Sequence, residues 1–304
     1  MKDLAPILIF VYNRPEHTRL VLESLSRNFL AGQSELYIYA DAAKNESDRS
    51  DVEKVRSFIQ SINGFAKVSI TERNKNIGLA NNIIDGVTKV VNQYGKVIVL
   101  EDDLILSPYF LQFMNEALEV YKNDEKIGHV HACEFFMNDN LPDTFLTTFI
   151  GSWGWGTWDR AWRYFNPDGT YLLNQLKDKQ LTRAFDLNNS YGFTKMLRNQ
   201  IKGLNNSWAI RWNASLFLKN CYALNVGKSL VRNVGFDGSG TNCGDDDYIS
   251  SNLYGQKIIV EKIEPNLLNE FARKVIENYY RRVFSFQAKA IRRIKRTLKG
   301  DFGA

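Results

Sequence analysis

The fold of this chain is decided by the stretch Lys96-Val97-Ile98-Val99-Leu100-Glu101-Asp102-Asp103-Leu104. Its β-branched run predicts a buried strand of a parallel sheet. Three adjacent acids do not fit a strand interior, so we expect them at the strand's carboxyl end, where α/β sheets place their ligands. The alternative is a solvated acidic turn ahead of the helix that begins at Ser107-Pro108.

Three carboxylates at one strand end repel each other unless a cation neutralises them. A hard divalent ion is the simplest candidate, because Mg2+ and Mn2+ prefer oxygen ligands and share their coordination shell with substrate phosphates. The stretch therefore predicts a site for Mn2+ or Mg2+ beside a phosphate-containing substrate.

Strands and helices alternate at regular spacing on the amino-terminal side of this stretch. We predict strands over residues 6–12, 36–40 and 66–70, each followed by a helix. Such alternation implies a mostly parallel sheet with right-handed crossovers and flanking helices, an architecture that binds nucleotides. The first strand is followed by Tyr12-Asn13-Arg14-Pro15 rather than by a glycine-rich dinucleotide fingerprint or a P-loop, so those two phosphate-binding modes are disfavoured.

A further strand is predicted over residues 126–132. His129 and His131 alternate onto one face of it, which suggests either a pair of metal ligands or, as we prefer, two hydrogen-bonded histidines beneath the site. Glu134 follows this strand directly. We expect its carboxylate to project into the same cleft as the acidic triplet.

A tryptophan-rich segment, Gly151 to Trp162, comes next. Glycines flank Trp153 and Trp155, so we predict a loop there and a helix starting at Asp159. Because indole faces stack on sugar rings and glycines let a backbone approach a ligand, Trp155 is predicted to contact the substrate. Trp158 and Trp162 are predicted to be core residues.

Composition sets the broad class. The chain has 304 residues, of which 44% are hydrophobic and 24% charged, as in one large or two small soluble α/β domains. Its three cysteines are odd in number and far apart, which argues against a disulfide framework and favours a cytoplasmic location. The apolar run near the start, residues 4–11, is too short for a membrane span.

Basic charge is concentrated near the end of the chain. Residues 273–299 contain ten Lys and Arg side chains against one acid, Glu277, although the whole chain carries a net charge of only +5. The pattern predicts a basic amphipathic helix that lies on an anionic membrane surface, making the protein peripheral on the cytoplasmic face. We expect no nucleic-acid binding, because the sequence reveals no complementary basic surface elsewhere.

Four motifs, in this order, resemble those of GT-A glycosyltransferases: residues 11–15, Asp41 after a strand, residues 76–80, and residues 101–104. They are similar to family 2 enzymes and to the N-acetylglucosaminyltransferase I type, whose metal motif is also Glu-Asp-Asp. The resemblance is close over the first half of the chain and looser to about residue 245. It implies a nucleotide-sugar-binding half over 1–105, an acceptor-binding half over 106–270 and a basic tail over 271–304.

The resemblance also implies roles for individual residues. Asp103 would hold the metal that bridges both phosphates, Asp102 would contact the ribose or donor sugar, and Asp41 would hydrogen-bond the uridine. A loop, residues 230–242, would close over the donor, and either Arg232 or the nearby Lys228 would meet phosphate charge. Taken together, the residues expected to contact the nucleotide sugar are Tyr12, Asn13, Arg14, Asp41, Asn76, Gly78, Asp102, Trp155 and Arg232.

One departure from the resemblance concerns the catalytic base. Several related families read Trp-Asp-x-x-Trp where this chain has Trp208-Ala209-Ile210-Arg211-Trp212, and their aspartate is the base. With Ala209 at that position, the candidate bases are Glu134 and Asp159.

These observations predict a metal-dependent glycosyltransferase. It would move a sugar from a nucleotide donor, with UDP expected, to a glycan or lipid-linked acceptor of surface polysaccharide synthesis, with inversion. The alternatives are a catalytically degenerate binding protein of the same fold, which Ala209 favours, and a metal-dependent nucleotidyltransferase. The latter normally carries a glycine-rich, lysine-containing loop after its first strand, which this chain lacks.

Overall fold

The computed structural model describes residues 3–136, 138–236 and 252–285. The strands are β1 Ile7–Val11, β2 Glu35–Ala40, β3 Lys67–Glu72, β4 Lys96–Glu101, β5 Leu104–Leu106, β6 Ile127–His131, β7 Thr144–Thr147, β8 Trp155–Trp158, β9 Tyr222–Val226 and β10 Val231–Asn233. The α-helices are α1 Pro15–Ser26, α2 Glu46–Gln60, α3 Leu79–Tyr94, α4 Phe110–Val120, α5 Asp159–Trp162, α6 Gly169–Asp178, α7 Thr182–Phe185, α8 Phe193–Ile201, α9 Trp208–Leu218 and α10 Glu270–Val283.

Eight strands form one sheet in the order β3-β2-β1-β4-β8-β6-β9-β7. Strands β3, β2, β1 and β4 are parallel neighbours, and β6 and β9 run in the same direction as these four. Strands β8 and β7 run in the opposite direction. The carboxyl ends of six strands therefore lie along one edge, which confirms the predicted mostly parallel α/β sheet with flanking helices.

Helices pack against both faces of this sheet, because successive strand residues point to opposite sides. On β4, Ile98 and Leu100 pack with apolar residues of α1, α2 and α4, whereas Val97 and Val99 pack with α3 and α9. All four are fully buried, so β4 is a central strand with a hydrophobic layer on each face.

The segment around Trp155 forms a strand, so the predicted loop is wrong. Strand β8 pairs with both β4 and β6, as Ile98 and Val130 each lie opposite Gly156. A side chain at Gly156 would come within 2.9 Å of the Met114 side chain and 3.1 Å of the Val97 carbonyl oxygen. Glycine is needed here because another backbone and a packed helix approach it closely, not because the segment is a loop.

The predicted tail is also wrong in part. Helix α10 belongs to the folded body, since Ile276 and Tyr279 are buried and the Asn269 N–H donates to the Leu146 carbonyl of β7 at 2.9 Å. Most of the predicted amphipathic face lies over residues 286–304, outside the described residues, and membrane contact stays a prediction. Within the described ranges, no helix combines the length and apolar character that crossing a bilayer requires.

Candidate active site

The acidic stretch that follows β4 forms a buried turn. Asp102 and Asp103 connect β4 to β5 and are only 4% and 6% exposed. Strand β5 pairs with β10 in a separate two-stranded sheet, in which Asn233 lies opposite Leu104. The alternative of a solvated acidic turn is therefore wrong: these carboxylates face protein on most sides.

The cation that neutralises these carboxylates in the structure is Arg14. Its guanidinium forms an ion pair with Asp102, and its Nη2 lies 3.1 Å from Asp103 Oδ2. Arg14 precedes Pro15 at the start of α1, directly after β1, and β1 is the parallel neighbour of β4. Parallel neighbouring strands end at the same edge, so the pairing of β1 with β4 brings Arg14 to the acidic stretch, for which the sequence predicted only a metal as counter-ion.

Burial and charge shift the titration of this cluster. Burial by itself would lower the pKa of Arg14, but Asp102 and Asp103 together raise it, so the guanidinium stays charged. Burial raises the pKa of Asp102, an effect that Arg14 opposes. Burial also raises the pKa of Glu101, and the two neighbouring aspartates raise it further. A raised pKa favours the neutral form of Glu101, so the ion pairs of Arg14 are made with Asp102 and Asp103.

The segment after β10 covers the carboxylates. The Val234 N–H donates to the Asp103 carbonyl at 2.8 Å, and the Gly235 N–H donates to Asn233 Oδ1 at 2.8 Å. A methyl group added to Gly235 would lie 2.3 Å from Asp103 Oδ2. Only glycine lets the backbone rest on the carboxylate in this way.

Gly235→Ala is expected to lower the free energy of unfolding by about 1–3 kcal/mol, as overpacking a buried site does. The Asp103 carboxylate cannot easily move away from the added methyl group, because it is buried and paired with Arg14. Urea denaturation measures the change. Gly255→Ala is the matched control, because a methyl group there meets nothing within 4 Å and should leave stability within about 0.5 kcal/mol. Equal stability of the two variants would contradict the close contact at Gly235.

Asp41 holds two loops together, which is not the predicted hydrogen bond to a uridine. Its carboxylate is 4% exposed and accepts backbone N–H groups from Ala42 at 2.9 Å, Ile77 at 3.1 Å and Gly78 at 2.9 Å. Asn76 adds a bond from its side-chain amide to the Ala42 carbonyl at 2.7 Å. These bonds fix the start of α3 against the end of β2 and leave little acceptor capacity for a ligand.

Tyr12 and Asn13 follow β1 at the same edge and are half-buried. Both donate to the Asp48 carboxylate near the start of α2, Tyr12 from its hydroxyl at 2.8 Å and Asn13 from its amide at 3.0 Å. The Tyr12 hydroxyl also accepts from the Lys44 N–H at 2.9 Å. In this structure Asp48 takes up the polar atoms of Tyr12 and Asn13, and their contact with a nucleotide stays a prediction.

Trp155 cannot contact a ligand from its position, so that prediction is wrong. Its side chain is fully buried on the α9 face of the sheet. The indole stacks on Trp208 at 5.0 Å and on the His129 ring at 5.3 Å, measured between ring centroids. Pairing with β4 on one side and β6 on the other directs this residue into the core.

Trp153, two residues earlier, is the half-exposed tryptophan of the segment. Its ring lies 5.5 Å from Phe236, next to Gly235, and 5.1 Å from Phe135, next to Glu134. It therefore packs between the segment that covers Asp103 and the segment that follows β6. Sequence reasoning chose Trp155 because the strand, which fixes which tryptophan points inwards, was not recognised.

Asp159 lies at the wrong end of the sheet for catalysis. Its N–H donates to the Gly95 carbonyl at 3.0 Å, and its neighbour Trp158 pairs with Lys96 at the start of β4. A strand rises about 3.3 Å per residue, so roughly 16 Å of β4 separates Asp159 from the acidic triplet. Asp159 is exposed and begins α5, and its prediction as a base is wrong.

Glu134 follows β6 at the carboxyl edge and is 8% exposed, with its N–H donating to Ser229 Oγ at 2.9 Å. Arg232 lies on β10 with its side chain exposed. Their predicted roles at a cleft stay predictions. The remainder of the predicted closing loop, from residue 237, and its acidic run Asp245-Asp246-Asp247 lie outside the described residues.

His129 and His131 are buried, hydrogen-bonded residues, which confirms the preferred interpretation. His129 Nε2 donates to the Gly151 carbonyl at 2.7 Å, while its Nδ1 accepts from Trp212 Nε1 at 3.2 Å. His131 Nδ1 lies 3.2 Å from Asn225 Oδ1. Burial lowers the pKa of His129 to about 3 and that of His131 to about 4, so both rings are neutral.

Comparison with known proteins gives no family: no family model matches the chain, and no curated protein matches it. Among solved structures, S. aureus TarS is similar at 12% identity and a TM-score of 0.30, over 46% of this chain and 23% of its own. TarS 1-349 is similar at 11% identity and a TM-score of 0.42, over 75% of this chain and 59% of its own.

A third solved structure is the mannosyltransferase PcManGT from Pyrobaculum calidifontis, in complex with GDP-Man and Mn2+. It is similar at 10% identity and a TM-score of 0.38, over 72% of each chain. This chain spans about a quarter of the full TarS chain and over half of the shorter one. The function proposed below therefore rests on the site and on the motifs of the sequence.

Proposed function

We propose that this chain is a GT-A glycosyltransferase that moves a sugar from a nucleoside diphosphate donor to an acceptor hydroxyl. The observation that carries the proposal is the meeting of Arg14 with Asp102 and Asp103 at the carboxyl ends of β1 and β4. Carboxyl ends of strands in open α/β sheets are where ligands bind. The ordered motifs that resemble GT-A enzymes begin or end at this same edge.

The donor atoms present suit a hard divalent ion. No group of three or more His, Cys, Asp or Glu side chains stands close enough to hold a metal within the described part of the chain. Ions such as Mg2+ are commonly held by one or two carboxylates together with substrate phosphates, and Asp102 and Asp103 supply such a pair. Mn2+ or Mg2+ bound through Asp103 would stabilise the charge of the departing diphosphate.

The remaining residues of this edge would position the donor. Tyr12 and Asn13 would line the base and ribose pocket, and Asp41 would shape it by fixing the loop that contains Gly78. Arg232, exposed on β10, would donate to a phosphate oxygen. UDP is the expected nucleotide, and a glycan or lipid-linked molecule is the expected acceptor.

The chemical step that we propose is a single displacement with inversion. The acceptor oxygen forms a bond to the anomeric carbon as the bond from that carbon to the diphosphate oxygen breaks. A general base removes the proton of the acceptor hydroxyl. Ala209 cannot serve, and Asp159 lies at the other edge, so Glu134 is the base in this proposal.

Glu134→Gln is expected to lower turnover by about 10²–10⁴-fold, because a positioned general base contributes that much. The amide keeps the shape of the side chain but cannot take the proton. Binding of the donor, measured by calorimetry, should stay unchanged. Glu125→Gln is the control, as Glu125 is exposed and precedes the start of β6, whereas Glu134 follows its end. Unchanged turnover would contradict this role of Glu134. So would a loss of turnover that is accompanied by a loss of donor binding.

The experiment that tests the function measures release of UDP or GDP from a panel of UDP- and GDP-sugars in Mn2+. Release of the nucleoside diphosphate with free or transferred sugar supports a glycosyltransferase. Formation of a sugar nucleotide and pyrophosphate from a nucleoside triphosphate and a sugar phosphate would identify a nucleotidyltransferase instead. Tight donor binding without any turnover would identify a catalytically degenerate binding protein, the alternative that Ala209 favours.

A further inference from the structure

The Arg14 side chain is anchored at its base and directed at the two aspartates. The Arg14 carbonyl accepts the Thr18 N–H at 2.9 Å, which fixes its backbone at the first turn of α1. The side chain is 17% exposed. Arginine side chains lose much rotamer freedom when they are held in this way, so the contact needs strong partners. Two buried carboxylates at the end of β4 are such partners.

Arg14 Nη2 takes the position that an ion shared by the two carboxylates would need. It contacts Asp102 Oδ1 and lies 3.1 Å from Asp103 Oδ2. Gly235 closes this position from the other side, because a methyl group there would lie 2.3 Å from Asp103 Oδ2 and 3.2 Å from Arg14 Nη1. A guanidinium nitrogen and a divalent ion cannot both occupy it, since both are positive and each fills the space.

Arg14 also has a hydrogen-bond donor that is not used by the two aspartates. Its Nη1 is buried and finds no hydrogen-bond partner among the residues that the structure describes. A buried donor without a partner costs free energy, so such groups commonly mark a functional site. This nitrogen faces Gly235, in the segment that covers Asp103. Guanidinium groups suit phosphate oxygens because of their planar, forked donors.

We infer that Arg14 is a replaceable counter-ion. In the free protein it neutralises Asp102 and Asp103, and it must leave this position before a divalent ion binds there. The displaced guanidinium then donates to the donor diphosphate, so that metal and nucleotide bind together more strongly than the metal alone. The inference rests on the proposed function for the identity of the nucleotide, but competition between Arg14 and a metal ion does not need turnover.

The test uses the full chain and Mn2+ as the probe, with free Mn2+ followed by electron paramagnetic resonance. Arg14→Gln is expected to bind Mn2+ alone at least about tenfold more tightly than the wild type, because a competing positive charge has gone. With UDP present the order should reverse, and the variant should bind Mn2+ more weakly. Arg73→Gln is the matched control, since Arg73 pairs with Asp85 and Asn82 and not with the triplet. Arg73→Gln should bind Mn2+ as the wild type does, both without and with UDP.

A merely structural role for Arg14 predicts weaker Mn2+ binding in both conditions, and that result overturns the inference, as does unchanged binding. If Arg14→Gln does not fold, Arg14→Lys replaces it. The lysine keeps the competing charge but lacks the fork that holds both carboxylates, so Mn2+ should displace it more easily than arginine. About severalfold tighter binding of Mn2+ alone is therefore expected, and unchanged binding overturns the inference. Tighter Mn2+ binding by a chain that turns over no nucleotide sugar would support the counter-ion role and contradict the proposed function.

Discussion

Replacing Asp103 with asparagine is expected to lower turnover of the nucleotide sugar by about 10²–10³-fold, the usual cost of removing one group that stabilises charge in the transition state. The amide is neutral, so it binds a divalent ion poorly and no longer pairs with Arg14. Release of the nucleoside diphosphate at saturating Mn2+ measures the effect.

The control for this change is Asp51→Asn, which removes a surface carboxylate that pairs with Lys54 on α2. Its turnover should equal that of the wild type. Thermal unfolding establishes whether Asp103→Asn is still folded, which matters because Asp103 is buried against Gly235. Full activity of the wild type in EDTA would contradict the role of the metal, even if Asp103 proved essential.

Trp155→Ala is expected to lower the free energy of unfolding by about 3–5 kcal/mol, the range for removing a large buried aromatic side chain. The indole is fully buried and contacts rings on two sides, with Trp162 at 6.1 Å and Trp208 at 5.0 Å between centroids. Neighbouring side chains cannot fill so large a cavity, because they already pack on the central strands. Urea denaturation gives the loss.

Trp153→Ala is the control for this change, since the same residue type lies two positions away but is half-exposed. We expect it to lose no more than about 1 kcal/mol, as most partly exposed substitutions do. If Trp155→Ala kept wild-type stability and weakened only donor binding, then Trp155 would contact the ligand, contrary to its burial.

The strand–helix alternation and the acidic turn could be predicted because their signals are local. The apolar run of β4 predicts a strand without any other information, and the acids after it must lie at the end of that strand. The same applies to α1, which begins at Pro15 because proline suits the first turn of a helix. From these elements alone, the parallel sheet and the edge that carries the site follow.

The direction of the tryptophans could not be predicted, because it depends on pairing between distant strands. Residues two apart on one strand would share a face, but β8 begins at Trp155 and Gly154 before it has a φ of 66°, so Trp153 lies outside the strand. The register Val99–Trp155 then places Trp155 in the core. A prediction of a loop over the whole segment contains no strand start between Trp153 and Trp155, and so gives no reason to separate the two residues. The wrong roles of Trp155 and Asp159 both come from this one missed strand.

The sequence by itself determined a mostly parallel α/β sheet and an electronegative strand end at Glu101, Asp102 and Asp103. Only the tertiary structure decided what neutralises that charge, because Arg14 and Asp102 are 88 residues apart and meet through the pairing of β1 with β4. The reason is physical: local propensity and hydrophobic period act over a few residues, whereas a buried charge is stabilised by whichever group the fold brings within reach.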